Sequence, residues 1–135
     1  MPRRPCAILG LLGAAAVLSG CGGSSPMRDR DGTLHLKLDE YRIRPQAIEV
    51  RTGTIRIVAR NLGRLTHNVK VQQADDAQGS TTPVEFGGTA TAQPGQTVRS
   101  AAIRLRPGLY RLVCTIGNHE NLGQYADLRV LAPGA

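Results

Sequence analysis

One stretch of the chain joins a strand-like run to a loop of distinctive chemistry: residues 107–124, PGLYRLVCTIGNHENLGQ. Pro107-Gly108 is a turn signal, and the segment LYRLV that follows it, residues 109–113, predicts a β-strand. Cys114 ends this strand, and His119 comes five residues later in the connection to the next strand. A loop at the end of a sheet therefore brings a thiol and an imidazole to one point.

Further strands are predicted on both sides of this stretch. Apolar residues alternate with polar ones, or form short runs, at 34–38, 48–51, 55–59, 69–71, 98–105 and 126–131. Turn residues separate these segments, and no segment has a convincing helical period. The pattern predicts an all-β fold, a Greek-key β-sandwich or barrel, spanning residues 33–132 as one domain. The stretch 73–96 is expected to hold a short helix or an edge strand, because so long a structureless loop is uncommon.

The chain has only three histidines, and two of them are candidate metal ligands. His67 follows the third predicted strand of the domain, in LTHNV, and His119 shares a loop with Cys114. One thiolate and two imidazoles form the ligand set of a trigonal blue-copper site. His35 lies on the polar face of a predicted strand whose alternate residues are leucines, so we interpret it as a surface residue.

These residues resemble the cupredoxins, the blue-copper proteins of the plastocyanin and azurin type. The resemblance covers about residues 34–130 and includes the opening LDEYRIRPQAIEVRTGTIRIVARNLG, then THNV, PGQ, PGLYRLVC and a closing C-x4-H-x4-Q. It implies a cupredoxin fold with one copper ion bound by His67, Cys114 and His119. It also implies a carrier of single electrons between redox proteins and not an enzyme.

The closing motif departs from the family at its fourth ligand position. Cupredoxins usually place an axial Met there, whereas this chain has Gln124. A Gln oxygen is a known weak axial ligand, as in the stellacyanin-like branch, and it favours Cu(II) over Cu(I). The resemblance further implies that Asn68, next to His67, braces the cysteine-bearing loop by hydrogen bonds.

The same residues are compatible with other functions. The ligand set is also compatible with copper sequestration or delivery, and with a zinc site that keeps an open fourth position. A catalytic Cys114 with His119 as base is a weaker alternative, because it requires a cleft, a lowered thiol pKa and a third orienting group.

The first twenty residues have the features of a lipoprotein signal peptide. Arg3 and Arg4 precede the apolar run 7–18, which is short for a membrane-spanning helix. The run ends in Leu-Ser-Gly-Cys, residues 18–21, which resembles the lipobox of bacterial lipoproteins. We therefore expect cleavage after residue 20, a lipid on Cys21 and a flexible tether over 21–32. The domain is then exported and anchored on the periplasmic or extracellular side of a bacterial membrane.

Processing of this kind also sets the thiol count and the charge. Of the three cysteines, Cys6 leaves with the signal peptide and Cys21 is lipidated, so Cys114 is the single thiol and no internal disulfide forms. The formal charge of +7 falls to about +5 without Arg3 and Arg4. Dispersed arginines and few aromatic residues argue against nucleic-acid binding. The positive charge favours an anionic membrane or an acidic redox partner. We expect a monomer.

Overall fold

The computed structural model describes residues 26–29, 31–51, 53–74 and 83–134. These residues form strands only: β1 (Met27–Asp29), β2 (Thr33–Asp39), β3 (Arg42–Arg44), β4 (Ala47–Val50), β5 (Thr54–Asn61), β6 (Lys70–Gln73), β7 (Glu85–Gly88), β8 (Thr97–Arg99), β9 (Ile103–Arg104), β10 (Gly108–Val113) and β11 (Tyr125–Val130). The predicted all-β class is confirmed.

Two sheets face each other across one apolar core. The first has six strands in the order β1-β4-β11-β10-β6-β7. The second has the order β3-β2-β5-β8, and β9 pairs with β5 beside it. This is the predicted two-sheet sandwich, with neighbours in each sheet drawn from distant parts of the chain.

Strict alternation along the strands explains why the two sheets pack together. In β2, Leu34, Leu36 and Leu38 are buried, whereas His35 and Lys37 between them face solvent. The same alternation continues on β5 and β11. Complete burial of one such aliphatic side chain stabilises a fold by about 1.5–3 kcal/mol. The two sheets therefore pack with their apolar faces against each other. The core is aliphatic apart from Tyr110.

Strand β10 is the central element for the loop that follows it. It pairs antiparallel with β11 along its whole length, from Gly108 opposite Val130 to Val113 opposite Tyr125. On its other edge it pairs with β6, so that Val113 lies opposite Lys70. The register therefore places the residues just before β6 next to the residues just after β10.

Two segments differ in detail from the expectations. Part of the expected tether, 21–32, forms strand β1, which pairs in parallel with β4 and packs Met27 against the core. The expected strand at 98–105 is divided into β8 and β9, and Ala101 between them is exposed. In both cases pairing with a distant strand, which local periodicity does not reveal, sets the boundaries.

The stretch 73–96 contains the edge strand β7, one of the two alternatives expected there. It pairs antiparallel with β6 across a register shift between Val71 and Gln72. The expected signal peptide 1–20 and the lipidated Cys21 lie outside the described residues. No helix in the described parts of the chain combines the length and the apolar character needed to cross a bilayer.

Candidate metal centre

The ends of strands β10 and β11 are held together at the base of the cysteine loop. Cys114 follows β10 directly, and its amide donates to the carbonyl of Gln124, which immediately precedes β11, over 3.1 Å. Val113, which precedes the loop, and Tyr125, which follows it, are paired in the sheet, so the loop 114–124 closes the β10–β11 hairpin. Both of its end residues are therefore fixed by the sheet.

Within this loop, tight turns bring His119 back over the hairpin. The His119 amide donates to the Ile116 carbonyl over 3.2 Å, and the Gln124 amide donates to the His119 carbonyl over 3.0 Å. Gly117 and Gly123 have φ values of +53° and +108°, which side chains with a Cβ adopt reluctantly. The two glycines thus permit the turns that place His119 near Cys114.

His67 reaches the same place from a different part of the chain. Its backbone pairs with Ala92 through two hydrogen bonds, His67 N to Ala92 O at 3.1 Å and Ala92 N to His67 O at 2.7 Å. Strand β6 begins three residues later and lies along β10. The sheet therefore holds the His67 backbone beside the end of β10.

The three side chains converge on one point. The Cys114 Sγ lies 3.9 Å from His67 Nδ1 and 3.6 Å from His119 Nδ1. All three atoms lie within 4.8 Å of one another. A metal bonded to one sulfur and one imidazole nitrogen at about 2.0–2.3 Å holds those atoms about 3.6–3.8 Å apart, so the donor set fits a metal ion. In the described part of the chain, no other group of three or more His, Cys, Asp or Glu side chains is arranged in this way.

Gln124 supplies a fourth polar group with an unusual environment. Its side chain is fully buried, and its Nε2 donates to the Asp39 carbonyl over 3.0 Å. Its Oε1 is buried and has no hydrogen-bond donor among the described residues. Leaving a buried acceptor without a donor costs about 1–3 kcal/mol. Coordination of a metal ion by this oxygen would offset that cost.

The protonation of His67 suits metal binding. Burial lowers the pKa of His67 from 6.5, and a hydrogen bond to Glu40 partly opposes this. The imidazole is therefore neutral at neutral pH, with one ring nitrogen free of a proton. Hydrogen bonds to the carboxylate, above all from the Leu65 amide, lower the pKa of Glu40 from 4.5, so Glu40 is ionised under the same conditions.

Glu40 is the site residue that sequence reasoning missed. Its Oε1 lies 3.3 Å from His67 Nε2, on the side of the ring opposite Cys114. Nothing in its local sequence marks it, since LDEYR is an ordinary end of one strand and start of the next. The contact spans 27 positions in the chain and appears only when β2 and β5 lie side by side.

Asn68 joins the segment that carries His67 to the segment that carries Cys114. The Thr115 amide donates to Asn68 Oδ1 over 2.9 Å, and Asn68 Nδ2 donates to Thr115 Oγ1 over 2.9 Å. The bonds restrain the residue that directly follows the cysteine. His35, by contrast, is exposed on β2 and is not part of the cluster.

Three auracyanins are among the solved structures with a similar fold. Reduced auracyanin from the photosynthetic bacterium Roseiflexus castenholzii matches with a TM-score of 0.62 and 18% identity, over 73% of this chain and 96% of its own. Auracyanin A, a "blue" copper protein from the green thermophilic photosynthetic bacterium Chloroflexus aurantiacus, matches with a TM-score of 0.58 and 17% identity, over 73% of this chain and 99% of its own.

Auracyanin B gives a third match, with a TM-score of 0.60 and 17% identity, over 83% of this chain and 94% of its own. No family model and no curated protein matches the sequence. At these identities the likeness concerns the fold alone, and it confirms the predicted fold class. The chain has the cupredoxin-like β-sandwich fold.

Proposed function

We propose that this chain is a type 1 copper protein that carries single electrons between redox partners. The observation that supports it best is the convergence of one buried thiol and two imidazole Nδ1 atoms at one end of a cupredoxin-like sandwich. His67, Cys114 and His119 are the proposed ligands of one copper ion, with the Gln124 amide oxygen as a weak fourth. Bound in this set, copper supplies one-electron exchange between Cu(II) and Cu(I).

The protein contributes rigidity and protection from solvent. Cys114 and His67 are buried, and hydrogen bonds fix the backbone of every proposed ligand. Ligands that keep their positions in both oxidation states lower the barrier to electron exchange. The thiolate suits Cu(I), whereas imidazoles bind both oxidation states.

His119 is the proposed point of electron entry and exit. It is the only partly exposed member of the three-residue cluster. The exposed side chains of Leu65 and Leu122 flank the segments that carry His67 and His119. A partner that docks here comes within a short distance of the metal without opening the core.

Copper loading tests the proposal directly. The chain from about residue 22 is loaded with Cu(II), and a strong visible thiolate-to-copper band is expected in the wild type and in the control His35→Ala. The band should disappear in Cys114→Ala and be lost or strongly altered in His67→Ala. A colourless wild-type protein that binds zinc more tightly than copper would refute the electron-transfer assignment.

Retention of copper separates a carrier from a copper donor. A carrier keeps its ion through repeated cycles of reduction and oxidation in the presence of a competing chelator. The buried thiol favours retention. Stoichiometric loss of copper to the chelator during the first cycle would instead support the delivery role.

Membrane anchoring is a separate part of the proposal and rests on the sequence of residues 1–21. In a bacterial host, the full chain is expected in the membrane fraction, with a lipid on Cys21 detected by mass spectrometry of the N-terminal peptide. Cys21→Ser should prevent lipid attachment. An unmodified Cys21 in the exported wild-type protein would contradict this part alone.

A further inference from the structure

The last residue of β2 and the turn that follows it contact three of the four proposed ligands through three consecutive residues. The carbonyl of Asp39 accepts a hydrogen bond from the Gln124 amide over 3.0 Å. The carboxylate of Glu40 faces His67 Nε2 at 3.3 Å. The ring of Tyr41 packs edge-on against His119, with 5.0 Å between the ring centroids. Strands β2 and β3 belong to the sheet opposite β10, which Cys114 follows, so the turn between them approaches the site from the other side of the core.

Glu40 makes the most directional of these contacts. Its Oε1 accepts hydrogen bonds from the amides of Arg64 and Leu65 over 2.6 and 2.7 Å and also faces His67. Gly63 completes this cradle, because a Cβ there would lie 2.8 Å from the Glu40 Cδ. The carboxylate is therefore fixed against the 63–65 backbone, just before the proposed ligand.

This arrangement dictates which ring nitrogen of His67 carries the proton. The Glu40 Oε1 that faces His67 already accepts hydrogen bonds from two backbone amides, so it faces the ring as an acceptor and the ring nitrogen opposite it must be the donor. With the proton on Nε2, the lone pair of Nδ1 is directed toward Cys114 Sγ, 3.9 Å away. We infer that Glu40 is a positioning residue that fixes the tautomer and ring orientation of His67 for the metal; this inference rests on the proposed function. A carboxylate partner also raises ligand basicity, which favours Cu(II).

The chain offers a matched control for the loss of one carboxylate charge. Glu49 on β4 forms an ion pair with Arg28 at 3.5 Å. It lies opposite Arg129, five positions along the chain from Gln124. Glu40→Gln and Glu49→Gln thus remove the same charge, but only the first removes it beside a proposed ligand.

The first measurement follows Cu(II) affinity by chelator competition. Glu40→Ala is expected to weaken binding about 10–100-fold, Glu40→Gln less, and Glu49→Gln less than twofold, because outer partners of metal-bound histidines have effects of this size. The reduction potential should rise in both Glu40 variants. Copper affinity and potential within error of the wild type in Glu40→Ala would overturn the inference.

The second measurement does not depend on copper. Histidine-ring ¹⁵N NMR of the full metal-free chain, above the pKa of His67, reads the Nε2–H to Nδ1–H ratio. The wild type should be almost entirely Nε2–H, and Glu40→Ala should lower the ratio about tenfold or more, the equivalent of one charged hydrogen bond. An unchanged ratio in Glu40→Ala refutes the role of Glu40 whether or not copper binds. If Glu40→Ala does not fold, Glu40→Gln, which conserves the shape but leaves a neutral acceptor, should lower the ratio by a smaller factor, and an unchanged ratio in that variant would refute the role of Glu40.

A failure of the proposed function gives a different result. In that case the wild-type chain lacks the visible copper band, whereas the ring NMR still shows His67 held in the Nε2–H form. The two proposals are therefore decided by different signals.

Discussion

At the scale of single residues, the identity of the proposed fourth ligand is the most consequential feature. Gln124 is held by one hydrogen bond from its amide nitrogen, and this bond orients the amide oxygen away from the Asp39 carbonyl. The oxygen is buried and has no donor among the described residues. An amide oxygen is a harder ligand than a thioether and therefore favours Cu(II).

Gln124→Met is accordingly expected to raise the reduction potential of the copper-loaded protein, measured by redox titration of the visible band. Gln72→Met on β6 introduces the same side chain away from the proposed ligands and should leave the potential unchanged. A potential that stays constant or falls in Gln124→Met would exclude Gln124 as an axial ligand.

A second prediction at this scale concerns the bridge between Asn68 and Thr115. Asn68→Ala removes both hydrogen bonds and leaves the Thr115 amide without its acceptor. We expect a loss of about 1–3 kcal/mol in the free energy of unfolding, measured by urea denaturation. Asn121→Ala, at an exposed position of the same loop, is the control and should cost much less. Equal losses in the two variants would show that the bridge does not stabilise the fold.

At the scale of elements, β10 connects the core to the site. It has a paired strand on each side, and Leu112 is fully buried two residues before Cys114. Leu109 on the same strand is 62% exposed. The two leucines therefore differ in environment while sharing one strand.

Leu112→Ala should destabilise the fold by about 2–5 kcal/mol, because it removes buried methyl groups and leaves a cavity beneath the loop. Leu109→Ala should change the free energy of unfolding by less than about 0.5 kcal/mol, as expected for an exposed site. Thermal or urea unfolding of the metal-free proteins measures both values. Similar effects of the two substitutions would contradict the strand register described here.

At the scale of the whole molecule, the site joins segments that are far apart in the chain. His67 precedes β6, Cys114 and His119 belong to the β10–β11 connection, and Gln124 is held by the turn of the opposite sheet. A ligand that binds only the folded chain stabilises it by mass action. Metal binding should therefore stabilise the sandwich as a unit and not merely the loop.

With free copper at 100 times its dissociation constant, we expect the free energy of unfolding to rise by about 2.7 kcal/mol, less any binding to the unfolded chain. Cys114→Ser should lose most of this increase, whereas His35→Ala should retain it. The comparison uses urea unfolding with and without Cu(II). An equal increase in Cys114→Ser would show that copper stabilises the chain from another position.

The sequence by itself determined the features that depend on local order. Alternation of apolar and polar residues identified the β class and most strands, because a side-chain period of two belongs to an extended chain buried on one face. The spacing from Cys114 to His119 and Gln124 identified the loop, since all three lie within one hairpin connection.

Only the tertiary structure decided what depends on pairing between distant strands. Local sequence does not specify which strands pair or in which register. Assembly of the sheets therefore decided three features: the strand β1, the placement of His67 beside Cys114, and the contact between Glu40 and His67. The environment of the Gln124 oxygen, which has no donor within the described ranges, also depends on this assembly, because Asp39 at the end of β2 in the opposite sheet holds the amide. The hairpin loop thus defined the candidate ligands, and the packing of two sheets defined the groups that orient them.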